Sequence, residues 1–257
     1  MKVVILCGGM GTRLREETEY RPKPMVSIGP RPILWHIMKH YASYGHKEFI
    51  LCLGYKGEVI KRYFRDYQWN VSDVTLKLGA NPEVKFHNSH MEDDWEVTLL
   101  DTGQKTMTGG RLKRAIPYIG SESFFLTYGD GVSDVNLDDL VETHRNSGAL
   151  ATLTAVRPAS RFGEISVADD LVTGFREKAG DGGAPVNGGF FVMEPEVGEL
   201  IENDETVLEQ YPLETLAKKG KLAAHRHKGF WQCMDTHREQ MMLEEIWASG
   251  NAPWKTW

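Results

Sequence analysis

Near its start the chain carries Leu6-Cys7-Gly8-Gly9-Met10-Gly11-Thr12-Arg13, and shortly afterwards Lys23 stands between Pro22 and Pro24. Glycines packed this densely let a backbone fold back with its N–H groups inward, where a Cβ would hold phosphate oxygens away. Thr12 adds a hydroxyl, Arg13 and Lys23 add cations, and the flanking prolines restrict the chain around the lysine. This equipment suits a nucleoside triphosphate. Spacing excludes the two commonest phosphate loops. A dinucleotide-binding turn requires Gly or Ala three residues after its second glycine, where Leu14 stands. The loop that ends in Lys-Ser/Thr requires a glycine five residues beyond its first; counted from Gly8, that position is Arg13. Taken alone, the loop is also compatible with a tight strand-to-helix connection.

A second group of residues bears on the same chemistry. Asp130 lies between Gly129 and Gly131 after the apolar run Phe124 to Tyr128. Ligands of open α/β sheets bind at the carboxyl ends of strands, and a carboxylate without bulky neighbours has room for a hard cation. An Asp-Gly turn is the alternative. Asp235 alone reads as the N-cap of the last helix. Arg111-Leu112-Lys113-Arg114 follows Gly109-Gly110, either at a helix start facing the ligand or as a solvated helix face. Glu177-Lys178 follows the strand Val172 to Arg176, and Asn187-Gly188-Gly189 interrupts the next strand. Glycines in a strand allow a ligand close to the backbone, and Glu177 and Asn187 can bond sugar hydroxyls; plain hairpin features fit as well. The histidine pairs His36/His40, His87/His90 and His225/His227 have no nearby third ligand, and no Cys-x-x-Cys, His-Glu-x-x-His or Gly-x-Ser-x-Gly pattern occurs.

Positioning these residues requires an α/β scaffold. Ile33, Leu34, Ile37, Met38 and Tyr41 recur at helical spacing between Pro32 and Tyr44, followed by a strand at Phe49 to Leu53 and a helix carrying Val59, Ile60, Phe64 and Tyr67. Strand-helix-strand-helix order favours a parallel, doubly wound sheet. Further elements are expected at Phe124 to Tyr128, Leu137 to Ser147, Ala151 to Val156, a hairpin of Glu164 to Val167 with Val172 to Arg176, Val186 to Met193, and a final helix at Thr236 to Ser249. The stretch 71–108 reads as a β-rich excursion within one domain spanning 1–257, and Trp95 and Met107 in it as packing residues, covers for the site or contacts with another subunit. With 257 residues and a net charge of −6, the chain does not suit broad capture of nucleic acid, so an anion must be met locally. No apolar run approaches a membrane span, and Cys7, Cys52 and Cys233 are too few and scattered for a disulfide framework or zinc site. A soluble, cytoplasmic protein is expected, with the cysteines used for packing.

The constellation Leu6 to Arg13, Lys23-Pro24, Gly129-Asp130, Glu177-Lys178 and Asn187-Gly188-Gly189, in that order, resembles the sugar-1-phosphate nucleotidyltransferases, over essentially the whole chain. Pro32 to Met38, Met107 to Arg114, Thr127 to Gly131 and the closing Ala252-Pro253-Trp254-Lys255-Thr256-Trp257 resemble its cytidylyl-transferring branch. The resemblance implies a Rossmann-like, doubly wound, mixed but mostly parallel sheet of the nucleotide-diphospho-sugar transferase type, with a β-rich excursion and a C-terminal helix. It places CTP against Leu6, Cys7, Gly8, Gly9 and Met10, with Gly11, Thr12, Arg13 and Lys23 at the phosphates and Thr106, Arg111 and Gly129 as further nucleotide contacts. It assigns Mg²⁺ to Asp130 and Asp235, the sugar phosphate to Glu177, Lys178, Asn187 and Gly188, and catalytic charge to Arg13, Lys23 and Lys178. Ala179 and Cys7 depart from the family's usual proline and alanine, which touches loop shape without removing a charge or a donor.

The implied reaction joins CTP to α-D-glucose 1-phosphate, releasing pyrophosphate and giving CDP-glucose for deoxysugar and surface-polysaccharide synthesis. A phosphate monoester oxygen is already anionic, so no general base is required. The protein must supply alignment and charge neutralisation. Base choice among CTP, dTTP and UTP is not readable from phosphate-loop residues, and a non-catalytic nucleotide-sugar sensor is the rival of another class. A homo-oligomer is expected from the excursion and the C-terminal tail.

Overall fold

A computed structural model describes the chain except Met10, Thr12, Ser89, 159–163, 169–170 and 177–183; at 15–16, 164–167 and 174–176 it describes the backbone alone. Seven strands form the central sheet: β1 (Val3–Cys7), β2 (Glu48–Leu53), β3 (Glu96–Asp101), β4 (Phe124–Tyr128), β5 (Ala151–Val156), β6 (Val186–Met193) and β7 (Leu222–Arg226). Their spatial order is β7-β5-β6-β4-β1-β2-β3. All neighbours run parallel except β6, which is antiparallel to both β5 and β4. This is the mixed, mostly parallel, doubly wound arrangement expected.

Side-chain alternation along β1 explains the layering. Val3, Ile5 and Cys7 enter one apolar cluster with Ile33, Ile37 and Tyr41 of helix α1 (Ile33–Ser43), whereas Val4 and Leu6 enter another with Leu112, Ala115 and Ile119 of a helix at Thr108–Ile119. A strand buried on both faces reads as a continuous apolar run, as Val3 to Leu6 does. Helix Leu137–Ser147 keeps its expected limits because Asn136 accepts from the N–H groups of Asp138 and Asp139, and Gly148, at φ 59°, ends it.

The stretch 71–108 divides differently from expectation. Val74–Lys77 and Glu83–Phe86 form a separate two-stranded hairpin, but β3 returns to the central sheet as its edge, parallel to β2. An edge strand is half exposed, so its apolar run is short and does not announce sheet membership. Trp95 packs on Phe49, their ring centroids 5.1 Å apart. The expected 164–176 hairpin is present as its own two-stranded sheet. After the last helix, His237–Ala248, Trp254 turns back and is buried against Trp247 and Phe230.

From β1 the chain winds outward through β2 to β3, then returns to β4 on the other side of β1. The carboxyl ends of β1 and β4 therefore flank a topological switch point, where open α/β sheets bind ligands. The glycine loop and Gly129-Asp130 both begin there.

Candidate active site

Lys23 lies in a single turn of 3-10 helix, Lys23–Met25, entered through the extended Pro22. Its side chain is buried and aimed at the switch point, where Nζ donates to Asp130 Oδ2 at 2.7 Å and to Asp235 Oδ1. Burial alone would lower the pKa of this ammonium, but Asp130 and Asp235 outweigh it and the pKa is raised, so Lys23 stays charged. Arg13 completes the cluster from the glycine loop, 3.1 Å from Asp235 Oδ2 with 70% of its side chain exposed.

Asp235 reaches this point through a small ladder. Trp231–Cys233 pairs antiparallel with Gly131–Ser133, and Met234 N–H donates to the carbonyl of Asp130 at 2.8 Å. Its expected role as N-cap is corrected: Thr236 is the cap, in a reciprocal box with Glu239. The Asp235 carboxylate is thus turned to the cations rather than to the helix.

Two cavities meet at this cluster. The larger, about 580 Å³, is lined by Leu6, Cys7, Gly8, Gly9, Gly11, Lys23, Thr106, Arg111 and Gly129, and by Gln104, Lys105, Met107 and Thr108. The smaller, about 220 Å³, is lined by Asn187, Gly188, Gly189, Trp231 and Cys233 among others. Arg13, Tyr128, Asp130 and Asp235 line both. All described residues that the resemblance assigned to nucleotide and sugar phosphate therefore fall on one of two adjoining cavities, with the carboxylates at the seam. Met10, Thr12, Glu177 and Lys178 lie outside the described residues.

The basic segment after Gly110 splits. Only Arg111 faces the larger cavity; Lys113 bonds the carbonyls of Ile201 and Glu202, and Arg114 pairs with Asp204. Arg111 is 4% exposed, and it donates to the carbonyls of Leu53 (3.0 Å), Gly103 (2.8 Å), Gly8 (3.1 Å) and Gln104 (3.5 Å), and to Thr102 Oγ1 (2.6 Å). Desolvation lowers its pKa from the ordinary arginine value. The guanidinium thus braces the cavity wall, beyond the ligand contact expected of it. It also changes the reason for Gly8: a Cβ there would sit 2.0 Å from Arg111 Cζ, so this glycine makes room for the arginine. Gly9, where an added Cβ would meet no atom of the described residues within 4 Å, is the position left open toward a ligand. Gly11 has φ +61°, the left-handed region that favours glycine.

On the smaller cavity, Gly188 and Gly189 are likewise required by protein atoms. A Cβ at Gly188 would lie 2.7 Å from Val156 Cγ1, and one at Gly189 2.4 Å from Tyr128 Cδ2. Cys7 is a packing residue whose thiol pKa is pushed well up by burial. Tyr128, Gln104, Lys105, Thr108 and Trp231 were missed by sequence reasoning, since each sits beside a motif without a distinctive type or spacing of its own.

The donor set at the seam suits Mg²⁺. Two carboxylates already converge on one cation, the Lys23 ammonium, and hard oxygens are what Mg²⁺ takes, with phosphate and water completing the shell. Among the described residues no group of three or more His, Cys, Asp or Glu forms a metal cluster, and no helix is long and apolar enough to cross a membrane.

Residues 2–236 match the model of the nucleotidyl transferase family. The chain is 53% identical over 258 aligned positions, covering all of both chains, to the glucose-1-phosphate cytidylyltransferase of Salmonella typhimurium. It is 30% identical over 215 positions, 83% of each chain, to the D-glycero-alpha-D-manno-heptose 1-phosphate guanylyltransferase of Campylobacter jejuni. Among solved structures, HddC from Yersinia pseudotuberculosis complexed with GMP-PN aligns with a TM-score of 0.68 at 23% identity, over 96% of this chain and 99% of that one.

Proposed function

Since the chain belongs to the nucleotidyl transferase family, we propose that it transfers the cytidylyl group of CTP to α-D-glucose 1-phosphate, giving CDP-glucose and pyrophosphate. The single observation that carries the chemistry is the seam: a buried Lys23 and an exposed Arg13 on the carboxylates Asp130 and Asp235, with a cavity on either side. Full-length identity of 53% to a cytidylyltransferase supports the choice of base and sugar.

In this reading the triphosphate occupies the larger cavity, against the glycine loop that Arg111 braces, and the sugar phosphate enters the smaller one beside Asn187. The phosphate oxygen of the sugar attacks the α-phosphorus in line as pyrophosphate leaves, forming one P–O bond and breaking another. Lys23 and Arg13 offset the charge that collects on the leaving group, and Lys178 is assigned to the sugar-phosphate side. Mg²⁺, held by Asp130 and Asp235, supplies further neutralisation of the triphosphate oxygens when bound. Tyr128, Gly188 and Gly189 line the smaller cavity and orient the sugar.

Such a reaction belongs in the cytoplasm, where nucleoside triphosphates and sugar phosphates occur together. The 74–86 hairpin, a two-stranded sheet of its own with Leu76, Leu78 and Val84 exposed, supports a homo-oligomer, because a two-stranded ribbon is marginal without a partner surface. Light scattering after size exclusion tests that assignment; a monomer would sink it. The activity is tested by pyrophosphate release across a grid of CTP, dTTP, UTP and GTP against several sugar 1-phosphates. CTP with glucose 1-phosphate is expected to have the highest kcat/KM, and a higher value for any other pair would overturn the proposal.

A further inference from the structure

Glu209 lines neither cavity, yet its carboxylate grips a wall of each. Oε1 accepts from the Tyr128 hydroxyl at 2.5 Å and Oε2 from Thr108 Oγ1 at 2.6 Å. Tyr128 stands between the cavities, and its hydroxyl oxygen lies 3.3 Å from Asn187 Nδ2. The amide oxygen of Asn187 accepts from Gly189 N–H at 2.9 Å.

Hydrogen-bond polarity links these contacts into one relay. An ionised carboxylate only accepts, so Tyr128 must donate to Glu209. Its oxygen is then left to accept, which requires Asn187 to present Nδ2 to it and Oδ1 to Gly189. Burial, with the charge of Glu209 next, raises the Tyr128 pKa, which keeps the phenol protonated as the relay demands. The second Asn187 N–H is thereby the donor left for a ligand in the smaller cavity.

We propose that Glu209 is a positioning residue for the sugar phosphate: by taking the Tyr128 hydroxyl proton in a hydrogen bond it leaves that oxygen to accept from Asn187 Nδ2, and so, together with Gly189 N–H, it holds in place the amide that meets the sugar. The proposal rests on the reading that places the sugar phosphate in the smaller cavity. The nucleotide wall depends less on Glu209, because Thr108 Oγ1 also accepts from Leu208 N–H at 2.9 Å.

The test measures initial rates of pyrophosphate release with CTP and glucose 1-phosphate varied independently. Glu209→Ala is expected to raise KM for glucose 1-phosphate about tenfold, the scale of one misdirected hydrogen bond, with KM for CTP and kcat within about threefold of the parent protein. Glu209→Gln, which keeps an acceptor oxygen for Tyr128, should restore the sugar KM to within about threefold. Tyr128→Phe should reproduce the Glu209→Ala defect, and adding Glu209→Ala to it should cost nothing more. A loss confined to CTP, Gln as damaging as Ala, or additive defects in the double variant would each overturn the assignment. If Glu209→Ala does not fold, Tyr128→Phe alone decides, because an unchanged KM for glucose 1-phosphate in that variant would overturn the assignment. Failure of the unsubstituted protein to use glucose 1-phosphate would instead overturn the functional reading, and the variants would then be compared on the pair the substrate grid selects.

Discussion

The two cavities that meet at Asp130 and Asp235 are built by opposite means. The wall of the larger is backed by separate segments, at Gly8, the end of β2 at Leu53, and 102–104, drawn together by the single guanidinium of Arg111. The wall of the smaller is made from neighbouring strands of the sheet, where Tyr128 of β4 meets Gly189 of β6 and Trp231 Nε1 donates to Gly188 O at 2.7 Å. Segments held by one side chain share its fate, whereas a wall built on a ladder spreads its support over many backbone bonds. The contrast extends to the cations at the seam: Lys23 is buried between two carboxylates, and Arg13 is exposed on one.

The largest expected effect is at the seam, which both cavities share. Lys23→Ala should lower kcat about a thousandfold, the upper range for removing one preorganised charge, with KM for either substrate changed much less. A purely higher KM for CTP would make Lys23 a ground-state binder. Next comes the brace. Arg111→Met leaves four carbonyls in the wall without this donor and should raise KM for CTP about thirtyfold while lowering stability by about 3 kcal/mol, read from denaturant unfolding. The sugar KM should move less than threefold or so, given the roughly independent wall on that side. Equal damage to both constants would break the contrast between the cavities.

A smaller effect separates the two faces of the sheet by pH. His36 is buried on α1, bonded to Ile28 O at 2.9 Å, and burial lowers its pKa to about 4. Its unfolded value is about 6.5, so between those values the unfolded chain binds more protons and stability rises with pH. The contribution is whole above about pH 6.5 and is lost as pH falls toward 4. Thermal midpoints should therefore drop a few degrees across this window, and His36→Gln should flatten the slope. Because α1 packs against the Lys23 turn, amide exchange near Ile28 should quicken in acid before that of Leu112, on the opposite face.

Much of this was legible in the sequence where local chemistry dictates structure. Asn136 and Gly148 delimit their helix, the run Val3 to Leu6 declares a doubly buried strand, and Gly129-Asp130-Gly131 marks a strand end. What stayed hidden depends on contacts between distant segments. Lys23 and Asp130 meet across 107 positions, and the ladder of 131–133 with 231–233 carries Asp235 to them. Locally, Asp235 resembles a helix cap because the true cap is its neighbour. Gly8 reads as phosphate-loop glycine, yet the atom that excludes its Cβ belongs to Arg111. Glu209 has no motif at all; its meaning arises only when Tyr128 and Thr108 reach it from two other elements.

The smallest expected effect tests whether exposure divides the two cations. Arg13 has 70% of its side chain in solvent and one carboxylate partner, so its field at the leaving group is screened by salt in a way that the Lys23 field is not. Arg13→Ala should lower kcat about tenfold at low ionic strength, and the ratio of parent to variant should shrink toward one as salt rises to about 0.5 M. The corresponding ratio for Lys23→Ala should hold nearly constant over the same range. If Arg13→Ala instead costs as much as Lys23→Ala and ignores salt, the glycine loop must close over the triphosphate and bury Arg13 during turnover. The two cations would then differ only before substrate arrives, and the larger cavity would owe its final shape to the ligand as well as to Arg111.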